Sequence, residues 1–300
     1  MDLKNFPYEA SIVIATYDRK DITLRCLDNL AREGVLDWAE IILVDDGSSD
    51  KTVEEVEKIW PQIKIVSGDG NLWWGGAMRL GMRIADPGTP CLIWLNNDCR
   101  PRPGVLQALR AYALKNRCVA SALSVAPSGF FYGGWIRTAW GLCQVAPDSS
   151  SIVKIDSFGG NCVAFPRHIV EAVGEMDPRL FHNWADADYA LRIRAAGFKS
   201  VILNFLICDN EANETATLGS WTESPLPFRT LFAGMRSPKS LLYWPTRAHF
   251  FRKHWGWGWG SVLALWPYAR FFVMWAISAV FGRGALRTLR RSVKRPSVRN

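Results

Sequence analysis

Four short apolar segments near the start of the chain each end abruptly in polar residues or glycine, and this repetition constrains the fold most. The segments cover residues 11–15, 41–44, 63–66 and 91–95. Stretches with the apolar periodicity of a helix separate them, at residues 19–32, 51–60 and 77–86. Buried strands that alternate with helices through short connections predict an α/β fold with a doubly wound, mostly parallel sheet.

Polar side chains stand at two of the predicted strand ends, where the ligands of open α/β sheets collect. Asn96, Asn97 and Asp98 follow the fourth strand, and their oxygen atoms suit a hard divalent cation, Mg²⁺ or Mn²⁺, that also binds substrate phosphates. Asp45 and Asp46 follow the second strand, so the two ends could flank a nucleotide. Ordinary turn and helix-capping chemistry is the alternative explanation for both groups.

The net charge of +8 hides a division of the chain into an acidic and a basic part. Residues 224–300 hold 14 of the 36 Lys and Arg residues and none of the 28 acids, so their charge is near +14. Residues 1–223 carry the other 22 cations and all 28 acids, so their charge is near −6. A basic segment of this kind predicts contact with an anionic surface, either nucleic acid or anionic lipid.

The aromatic residues of the basic part favour lipid. Residues 224–300 contain six tryptophans, and Arg270 is the single charged residue between 261 and 282. This stretch is long enough to span a membrane, but a central arginine and basic flanks on both sides disfavour a span. We predict helices that lie in the membrane interface, with a helical subdomain that packs its aromatics inward as the alternative. Nucleic-acid binding is not expected, because the aromatics form blocks and not a stacking array.

Cysteine spacing and the first residues bear on the compartment. The seven cysteines are odd in number and form no C-x-x-C pair, which predicts reduced thiols in a cytosolic compartment and no zinc site. Residues 1–10 carry charges and no apolar core, so no signal peptide is expected there. The predicted location is therefore the cytoplasmic face of the cell membrane, with a peripheral or monotopic attachment.

Seven motifs follow one another in order over residues 10–205. They occupy residues 11–17, 44–50, 71–77, 95–98, 159–166, 173–181 and 184–198. The set resembles family 2 glycosyltransferases with the GT-A fold, including bacterial rhamnosyltransferase-like members, and residues 184–198 resemble the acceptor-side pattern E-D-x-D-x-x-x-R. The order and the spacing of the set carry the resemblance, and not any one motif.

The resemblance implies transfer of a sugar from a UDP-, dTDP- or GDP-linked donor with inversion at the anomeric carbon. It implies that Asp98 holds the divalent cation, while Asn96 replaces the first carboxylate of the family's D-x-D motif. The residues that it places around the nucleotide sugar are Thr16, Tyr17, Asp45, Asp46, Asn71, Trp74, Gly75, Gly76, Asn96, Asn97 and Gly160. Tyr17 is expected to stack on the base, and the glycines are expected to let backbone approach the donor closely.

The acceptor-side motif carries two carboxylates, Asp186 and Asp188, at the start of a predicted helix. The resemblance implies that Asp186 is the catalytic base, which takes the proton of the attacking hydroxyl group, and that Asp188 supports it. Ala185 stands where the family has a glutamate. The alternative is that the acids only stabilise the first turn of the helix, where negative charge is favoured.

One family feature is missing after the strand predicted at residues 200–207. Many relatives carry a histidine there as a late metal ligand, whereas this chain continues with Cys208, Asp209, Asn210 and Glu211. Asp209 or Glu211 is the candidate replacement, since either carboxylate suits a hard cation.

These features predict a catalytic domain followed by a membrane-associating tail. The domain covers residues 1–223, with a nucleotide-sugar half at about 1–118 and an acceptor half at about 119–223, and the tail covers 224–300. The predicted function is a hexosyl- or deoxyhexosyltransferase that acts on a lipid-linked or membrane-proximal glycan. The alternative is a non-catalytic nucleotide-sugar-binding or scaffold protein of the same fold, which Asn96 and Ala185 would favour.

Overall fold

The computed structural model describes residues 8–129, 131–148, 151–211 and 228–292, with the backbone alone for residues 277–292. The chain forms two compact units, Met1–Ala212 and Asn213–Asn300. The domain boundary predicted after residue 223 falls within residues 212–227, outside the described residues, and stays a prediction.

The first unit alternates strands and helices from its start. Its strands are β1 (Ala10–Thr16), β2 (Ala39–Asp45), β3 (Lys64–Ser67), β4 (Cys91–Leu95), β5 (Cys99–Pro101), β6 (Val119–Val125), β7 (Phe131–Tyr132), β8 (Gly134–Thr138), β9 (Gly141–Gln144), β10 (Ile152–Ile155), β11 (Ser157–Phe158), β12 (Cys162–Pro166) and β13 (Ser200–Asn210). Its helices are α1 (Lys20–Arg32), α2 (Thr52–Ile59), α3 (Trp73–Ile84), α4 (Val105–Asn116), α5 (Arg167–Val173) and α6 (Ala185–Ala195).

Ten of the strands form one sheet, in the order β10-β13-β6-β12-β4-β1-β2-β3, with β5 added beside β13 and β7 beside β6. β1 is parallel to β2 and β4, β2 to β3, and β6 to β13. β12 runs antiparallel between β4 and β6, an insertion that the sequence did not predict. The strands β11-β8-β9 form a separate small sheet. The prediction of an α/β fold with a mostly parallel sheet is confirmed.

Successive residues of β1 face opposite sides of the sheet, and both sides are covered by helices. Ile12 and Ile14 belong to a core cluster that also contains apolar side chains of α1, α2 and α4. Val13 faces α3 on the other side, where a Cβ on Gly81 would lie only 2.2 Å from its Cγ1. This two-sided burial explains why the strands are continuous apolar runs.

An aromatic cluster on the α3 side of the sheet fixes helix α6. The Trp94 ring on β4 lies 4.6 Å from the Phe165 ring, 5.4 Å from Tyr189 and 5.6 Å from Trp74. Tyr189 belongs to α6, so the cluster ties the start of that helix to the centre of the sheet. Aromatic pairs at these distances contribute about 0.5–1.5 kcal/mol each beyond the area they bury.

The start of α3 corrects the sequence prediction. The sequence predicted a loop to residue 76 and a helix from 77, but the helix begins at Trp73. The carboxylate of Asp46 accepts hydrogen bonds from the backbone nitrogens of Leu72 and Trp73, at 3.0 and 2.8 Å. It therefore satisfies N–H groups that the first turn of a helix leaves without intrahelical partners.

The described part of the second unit consists of the helices α7 (Phe228–Arg236), α8 (Trp244–Trp255) and α9 (Trp257–Ser292). Pro267 lies inside α9 and has no N–H group, which leaves the carbonyl of Leu263 without its usual helical donor. Arg247 of α8 donates to that carbonyl oxygen at 3.0 Å and to Ala264 at 2.9 Å. Burial lowers the pKa of Arg247 to about 10. An arginine thus joins α8 to α9 at the proline.

The other side of α9 is apolar and exposed. Val262, Leu265, Trp266, Phe272 and Val273 are each between 47% and 62% exposed. Among the described residues, we find no helix with the length and hydropathy that crossing a bilayer requires.

Candidate active site

The carboxyl ends of β1, β2 and β4 meet at one edge of the sheet. Thr16 at the end of β1 stands opposite Asp45 at the end of β2, and Asn97 and Asp98 lie just after β4. All four residues are at most 5% exposed. The Asn97 amide donates to the hydroxyl oxygens of Thr23 and Thr16, at 3.1 and 3.4 Å. The structure thus brings these four predicted site residues together in one buried, hydrogen-bonded cluster at the edge of the sheet.

Asp45, the last residue of β2, and Asp46, which follows it, make different contacts. Asp45 accepts hydrogen bonds from the backbone nitrogen of Ser48, at 2.9 Å, and from its hydroxyl group. Asp46 binds the loop before α3, and its carboxylate accepts hydrogen bonds from the backbone nitrogens of Gly70, Leu72 and Trp73. Sequence reasoning missed this loop-holding task. Contact of either acid with a nucleoside stays a prediction.

Tyr17 follows Thr16 of this cluster and is 51% exposed. A ring this exposed, next to buried polar groups, is accessible to a planar ligand such as a nucleoside base. Its predicted stacking role is compatible with this place and stays a prediction.

Asn96, the first residue of the polar triplet 96–98, connects three elements. Its side-chain oxygen accepts a hydrogen bond from Nε1 of Trp74 at 2.8 Å, and its amide nitrogen donates to Oδ1 of Asn161 at 2.7 Å. The backbone nitrogen of Asn96 also donates to the carbonyl oxygen of Asn161, at 2.9 Å. A cation at Asn96 would therefore share the amide oxygen with the Trp74 indole.

A cavity of ≈ 110 Å³ opens beside the first turn of α3. It is lined by Asn71, Leu72, Gly75, Gly76, Arg79, Asp177, Pro178 and Phe181. Gly75 lets the cavity wall come close, because a Cβ there would lie 2.7 Å from the carbonyl oxygen of Leu180. Three of the residues predicted to surround the nucleotide sugar thus line one cavity, but the close approach that Gly75 permits is to the protein's own backbone.

Asp98 is the one carboxylate of the triplet, and its Oδ2 lies 3.1 Å from Nη1 of Arg19. Within the described ranges, no group of three or more His, Cys, Asp or Glu side chains is arranged to hold a metal ion. A single buried carboxylate beside amide oxygens fits a divalent cation that takes its remaining ligands from phosphate groups. The residues present therefore fit a cation bound together with a nucleotide, and not a metal held by protein alone.

The two candidates for the late metal ligand each bind an arginine. Arg102 donates to Asp209 at 3.0 and 2.9 Å, and Arg25 donates to Glu211 at 2.9 and 2.7 Å. These hydrogen bonds lower the pKa of both carboxyl groups. The backbone nitrogen of Glu211 donates to the carbonyl oxygen of Asp98 at 2.8 Å, so Glu211 is next to the triplet. A ligand role for either acid stays a prediction.

Asp186 lies in the first turn of α6 and is half-buried. Trp184 comes directly before the helix and has a left-handed backbone conformation, with a φ of 70°. Its Oδ2 accepts a hydrogen bond from the backbone nitrogen of Gly160 at 3.1 Å, and its Oδ1 accepts one from Ala187 at 2.8 Å. Burial raises the pKa of Asp186, although the two backbone donors act in the opposite direction. A carboxylate with a raised pKa accepts a proton more readily, as a general base must.

Asp188 does not share the surroundings of Asp186. Two positions along a helix are about 200° apart around its axis, and the Asp188 side chain is 1% exposed, with Oδ2 3.9 Å from Nη1 of Arg192. Asp188 therefore lies on the buried side of α6, where it can support the helix, and it does not face the same space as Asp186. Its supporting role stays a prediction.

Gly160 joins Asp186 to the strand edge. Its backbone nitrogen binds Asp186, and a Cβ on it would lie 2.3 Å from Cζ2 of Trp74. The next residue, Asn161, binds Asn96. The candidate base, the α3 tryptophan and the polar triplet are thus in continuous contact, so a nucleotide at the edge and a proton acceptor can serve one reaction.

Sequence reasoning missed three residues of this site: Arg19, Arg79 and Asn161. Arg79 was the most accessible to sequence reasoning, because it follows Gly75 and Gly76 by four and three positions and so shares their helix face. Arg19 comes directly before α1 and carried no motif of its own. Asn161 pairs with a residue 65 positions away, and nothing in a single sequence indicates such a pair.

Comparison with known proteins identifies relatives of the chain. The family model described as glycosyl transferase family 2 matches residues 11–173. Two curated relatives, from the CDC 1551 / Oshkosh and H37Rv strains of Mycobacterium tuberculosis, are each 27% identical over 195 residues, and both are named N-acetylglucosaminyl-diphospho-decaprenol L-rhamnosyltransferase. The alignment covers 54% of this chain and 62% of each relative, so the chain spans less than two thirds of their length.

Solved structures of similar fold include GalNAc-T7 with UDP, GalNAc and Mn²⁺, with a TM-score of 0.56, 16% identity and coverage of 92% of this chain and 58% of that one. The mannosyltransferase PcManGT of Pyrobaculum calidifontis, in complex with GDP-Man and Mn²⁺, has a TM-score of 0.58 and 14% identity, over 96% of this chain and 81% of its own. Residues 1–349 of S. aureus TarS have a TM-score of 0.52 and 12% identity, over 86% and 74%. This likeness confirms the predicted GT-A fold.

Proposed function

Because the chain belongs to glycosyl transferase family 2, we propose that it is an inverting glycosyltransferase, which moves a sugar from a nucleoside-diphosphate sugar to a hydroxyl group. The observation that carries the proposal is the place of Asp186, whose carboxylate Gly160 joins to the polar edge of the sheet. A nucleotide-binding edge and a proton acceptor beside it are the two parts that this reaction needs.

The reaction exchanges one bond at the anomeric carbon for another. The oxygen of the acceptor hydroxyl forms the new bond from the face opposite the phosphate, which inverts the configuration. The bond from the anomeric carbon to the phosphate oxygen breaks, and its electron pair leaves with the nucleoside diphosphate. The hydroxyl proton passes to Asp186, whose raised pKa suits this task. A well-placed general base contributes about 10²–10⁴-fold in rate.

A divalent cation, Mg²⁺ or Mn²⁺, is part of the proposal. Mn²⁺ is present in two of the similar structures, and Asp98 is the residue of this chain that would hold such an ion. When bound, the ion neutralises charge on the departing diphosphate. Asn97, which two threonine hydroxyls hold in place, keeps the strand end rigid beside it.

The substrates follow from the relatives and are proposed in the same way. The names of the curated relatives specify transfer of rhamnose, a deoxyhexose, to a lipid-linked diphospho-sugar, and the similar structures contain UDP or GDP-mannose. We therefore infer a hexosyl or deoxyhexosyl donor linked to UDP, dTDP or GDP, and a lipid-linked or membrane-proximal glycan as acceptor.

A non-catalytic nucleotide-sugar-binding or scaffold protein is the second candidate function. Asn96 and Ala185, which replace two family carboxylates, favour it. The position of Asp186 favours the enzyme, because its carboxylate contacts the Gly160 backbone beside the polar edge of the sheet and burial raises its pKa, as suits a proton acceptor.

We further propose that the second unit attaches the protein to the cytoplasmic face of the cell membrane, as a peripheral or monotopic anchor. Five exposed apolar residues in the middle of α9 fall within an arc of about 120° around the helix axis, so they share one face. They are Val262, Leu265, Trp266, Phe272 and Val273. Leu263, Ala264 and Tyr268 lie outside this arc and are buried. Over residues 262–273, one face of α9 is therefore covered by protein and the other is suited to lipid.

Charge supports anionic lipid as the surface that this face would meet. Residues 224–300 carry 14 cations and no acid. The Arg252 guanidinium lies 4.6 Å from the centre of the Trp257 ring, which is 77% exposed. An aromatic ring with a cation over it suits the headgroup level of a bilayer, and cations there favour anionic lipids.

Donor-dependent release of nucleoside diphosphate tests the proposed activity. The full-length chain is first screened by thermal shift with UDP-, dTDP- and GDP-sugars and Mn²⁺ or Mg²⁺, since a bound ligand raises the unfolding temperature. Release of the diphosphate from a stabilising donor, when a hydroxyl acceptor is present, supports the enzyme. Stabilisation by a donor with no release from any donor and acceptor supports the scaffold.

A further inference from the structure

Arg19 covers the carboxylate that the proposed function assigns to the divalent cation. Its Nη1 lies 3.1 Å from Oδ2 of Asp98 and 3.4 Å from Oδ1 of Asn97. The Asp98 side chain is 8% exposed, and that of Arg19 is 34% exposed. The guanidinium is therefore the more solvent-accessible partner of the pair.

Neighbouring arginines on this edge have partners outside the triplet. Arg25 holds Glu211 through two hydrogen bonds, and Arg102 holds Asp209 through two. Both of those carboxylates lie at the end of β13. Arg19 differs from these two because its partner is the residue that best fits a metal ligand.

A divalent cation and the Arg19 guanidinium compete for Asp98, because like charges on one poorly solvated carboxylate repel each other. The diphosphate of a donor offers Arg19 a better partner, since planar guanidinium groups bind phosphate oxygens through paired hydrogen bonds. We propose that Arg19 covers Asp98 in the donor-free protein and transfers to the diphosphate when the donor binds, so that the cation binds Asp98 only together with the donor. Arg19 is thus a positioning residue for metal binding, and this inference rests on the proposed function.

The proposal explains how a site with one carboxylate can bind the cation tightly only when the donor is also bound. Two ligands that bind better together must each raise the affinity of the other by the same factor. Arg19 makes this coupling stronger than the ligands alone would, because it lowers cation affinity without the donor and adds a diphosphate contact with it. Removing the guanidinium should therefore tighten cation binding alone and weaken the coupling.

Titration of the whole chain with Mn²⁺ tests the proposed competition without any activity measurement. Binding is measured by calorimetry or by electron paramagnetic resonance. We expect weak Mn²⁺ binding by the unaltered chain in the absence of nucleotide, and binding at least about tenfold tighter by Arg19→Gln. Arg194→Gln is the matched control, because it removes an arginine from a mostly buried carboxylate, Asp156, that lies outside the proposed metal site, and it should bind Mn²⁺ as the unaltered chain does. In the Arg19→Gln background, Asp98→Asn should abolish the gained binding.

The same titrations are repeated with UDP, GDP or dTDP. We expect the diphosphate to tighten Mn²⁺ binding at least about tenfold in the unaltered chain and by clearly less in Arg19→Gln. Equal Mn²⁺ affinities of these two proteins without nucleotide, or equal tightening by the diphosphate, would overturn the proposal. Gained binding that survives Asp98→Asn would also overturn it. If Arg19→Gln does not fold, Arg19→Ala replaces it with the same expectations. Failure of the proposed activity is separate, since it appears as absent diphosphate release while these affinities remain measurable.

Discussion

The indole nitrogen of Trp74 donates a hydrogen bond to the side-chain oxygen of Asn96 over 2.8 Å. The bond joins the first turn of α3 to the end of β4, and Asn161 binds the amide nitrogen of the same side chain. The Asn96 side chain therefore links α3, β4 and the loop that contains Asn161. A substitution at residue 96 affects both these hydrogen bonds and the charge next to Asp98.

Restoring a carboxylate at this position should strengthen cation binding. In Asn96→Asp, Trp74 keeps an acceptor, and the Asn161 amide can turn so that its nitrogen donates. A second carboxylate near Asp98 should raise Mn²⁺ affinity, measured by titration in the presence of a nucleoside diphosphate. Asn96→Ala, which loses both hydrogen bonds, is the control and should unfold at a lower temperature. An unchanged Mn²⁺ affinity in Asn96→Asp would place the cation away from residue 96.

Gly160 should tolerate no side chain. A Cβ there would lie 2.3 Å from the Trp74 ring, so Gly160→Ala must shift the tryptophan or the loop that binds Asp186. We expect a loss of about 1–3 kcal/mol in the free energy of unfolding, as for overpacked cores, with reduced turnover. Chemical denaturation measures the first effect. Gly258→Ala is the control, because nothing lies within 4 Å of a Cβ there; equal stability of the two variants would contradict the close contact.

Removal of the proposed base should affect turnover more than binding. Asp186→Asn is nearly isosteric but cannot take the hydroxyl proton, so kcat should fall about 10²–10⁴-fold with donor affinity retained. Diphosphate release and donor titration measure the two quantities.

Asp188→Asn is the matched comparison for that variant. Its carboxylate is buried near Arg192, so the substitution should lower the unfolding temperature and reduce kcat by less than Asp186→Asn does. A larger loss of kcat in Asp188→Asn than in Asp186→Asn would assign the base to Asp188.

The raised pKa of Asp186 predicts the pH dependence of the reaction. The base must be ionised, so kcat/KM should rise with pH through the pKa of Asp186 and level off above it. Because burial raises that pKa, the midpoint should lie above the value of about 3.9 for an unperturbed aspartate. Circular dichroism over the same pH range separates this effect from acid unfolding. A midpoint at or below the ordinary value in a folded protein would exclude Asp186 as the group that titrates.

The sheet and its polar edge were predictable because each depends on local pattern. Continuous apolar runs such as 91–95 indicate strands buried on both faces, and Asp45 and Asp98 mark their ends. The antiparallel β12 was not predictable from pattern, since its residues 162–166 pair with β4 and β6 through hydrogen bonds that leave the apolar pattern unchanged. Direction within a sheet is decided by tertiary contacts.

The site shows the same limit. The family resemblance, together with the polar pattern, indicated Asp98 and Asp186, but their contact partners, Arg19 and Gly160, come from other parts of the chain. The contacts join positions 79 and 26 residues apart. The role of Asp46 in holding the α3 loop was missed for the same reason. A single sequence therefore indicates which groups do chemistry better than what surrounds them.

The exposed face of α9 should bind anionic membranes. We expect the full-length protein to sediment with vesicles that contain phosphatidylglycerol and to remain in solution with phosphatidylcholine alone. High salt should release only part of it, because salt screens the attraction between cations and lipid phosphates but not buried apolar side chains. A transmembrane segment would instead keep the protein in the pellet at every salt concentration, and a unit that packs its aromatics inward would leave it in solution with both vesicles.

Two substitutions on this face test whether it is the surface that enters lipid. Leu265 and Trp266 are 50% and 62% exposed, so replacing both with serine should leave the helix packing intact. Burial of each side chain is worth about 1.5–3 kcal/mol, and 1.4 kcal/mol is a factor of ten in an equilibrium constant. Partition onto anionic vesicles should therefore fall at least about tenfold, with diphosphate release in solution unchanged. Trp140→Ser is the matched control, because that tryptophan is 78% exposed but belongs to the first unit. Equal partition of the double variant and the control would mean that another surface of the chain meets the membrane.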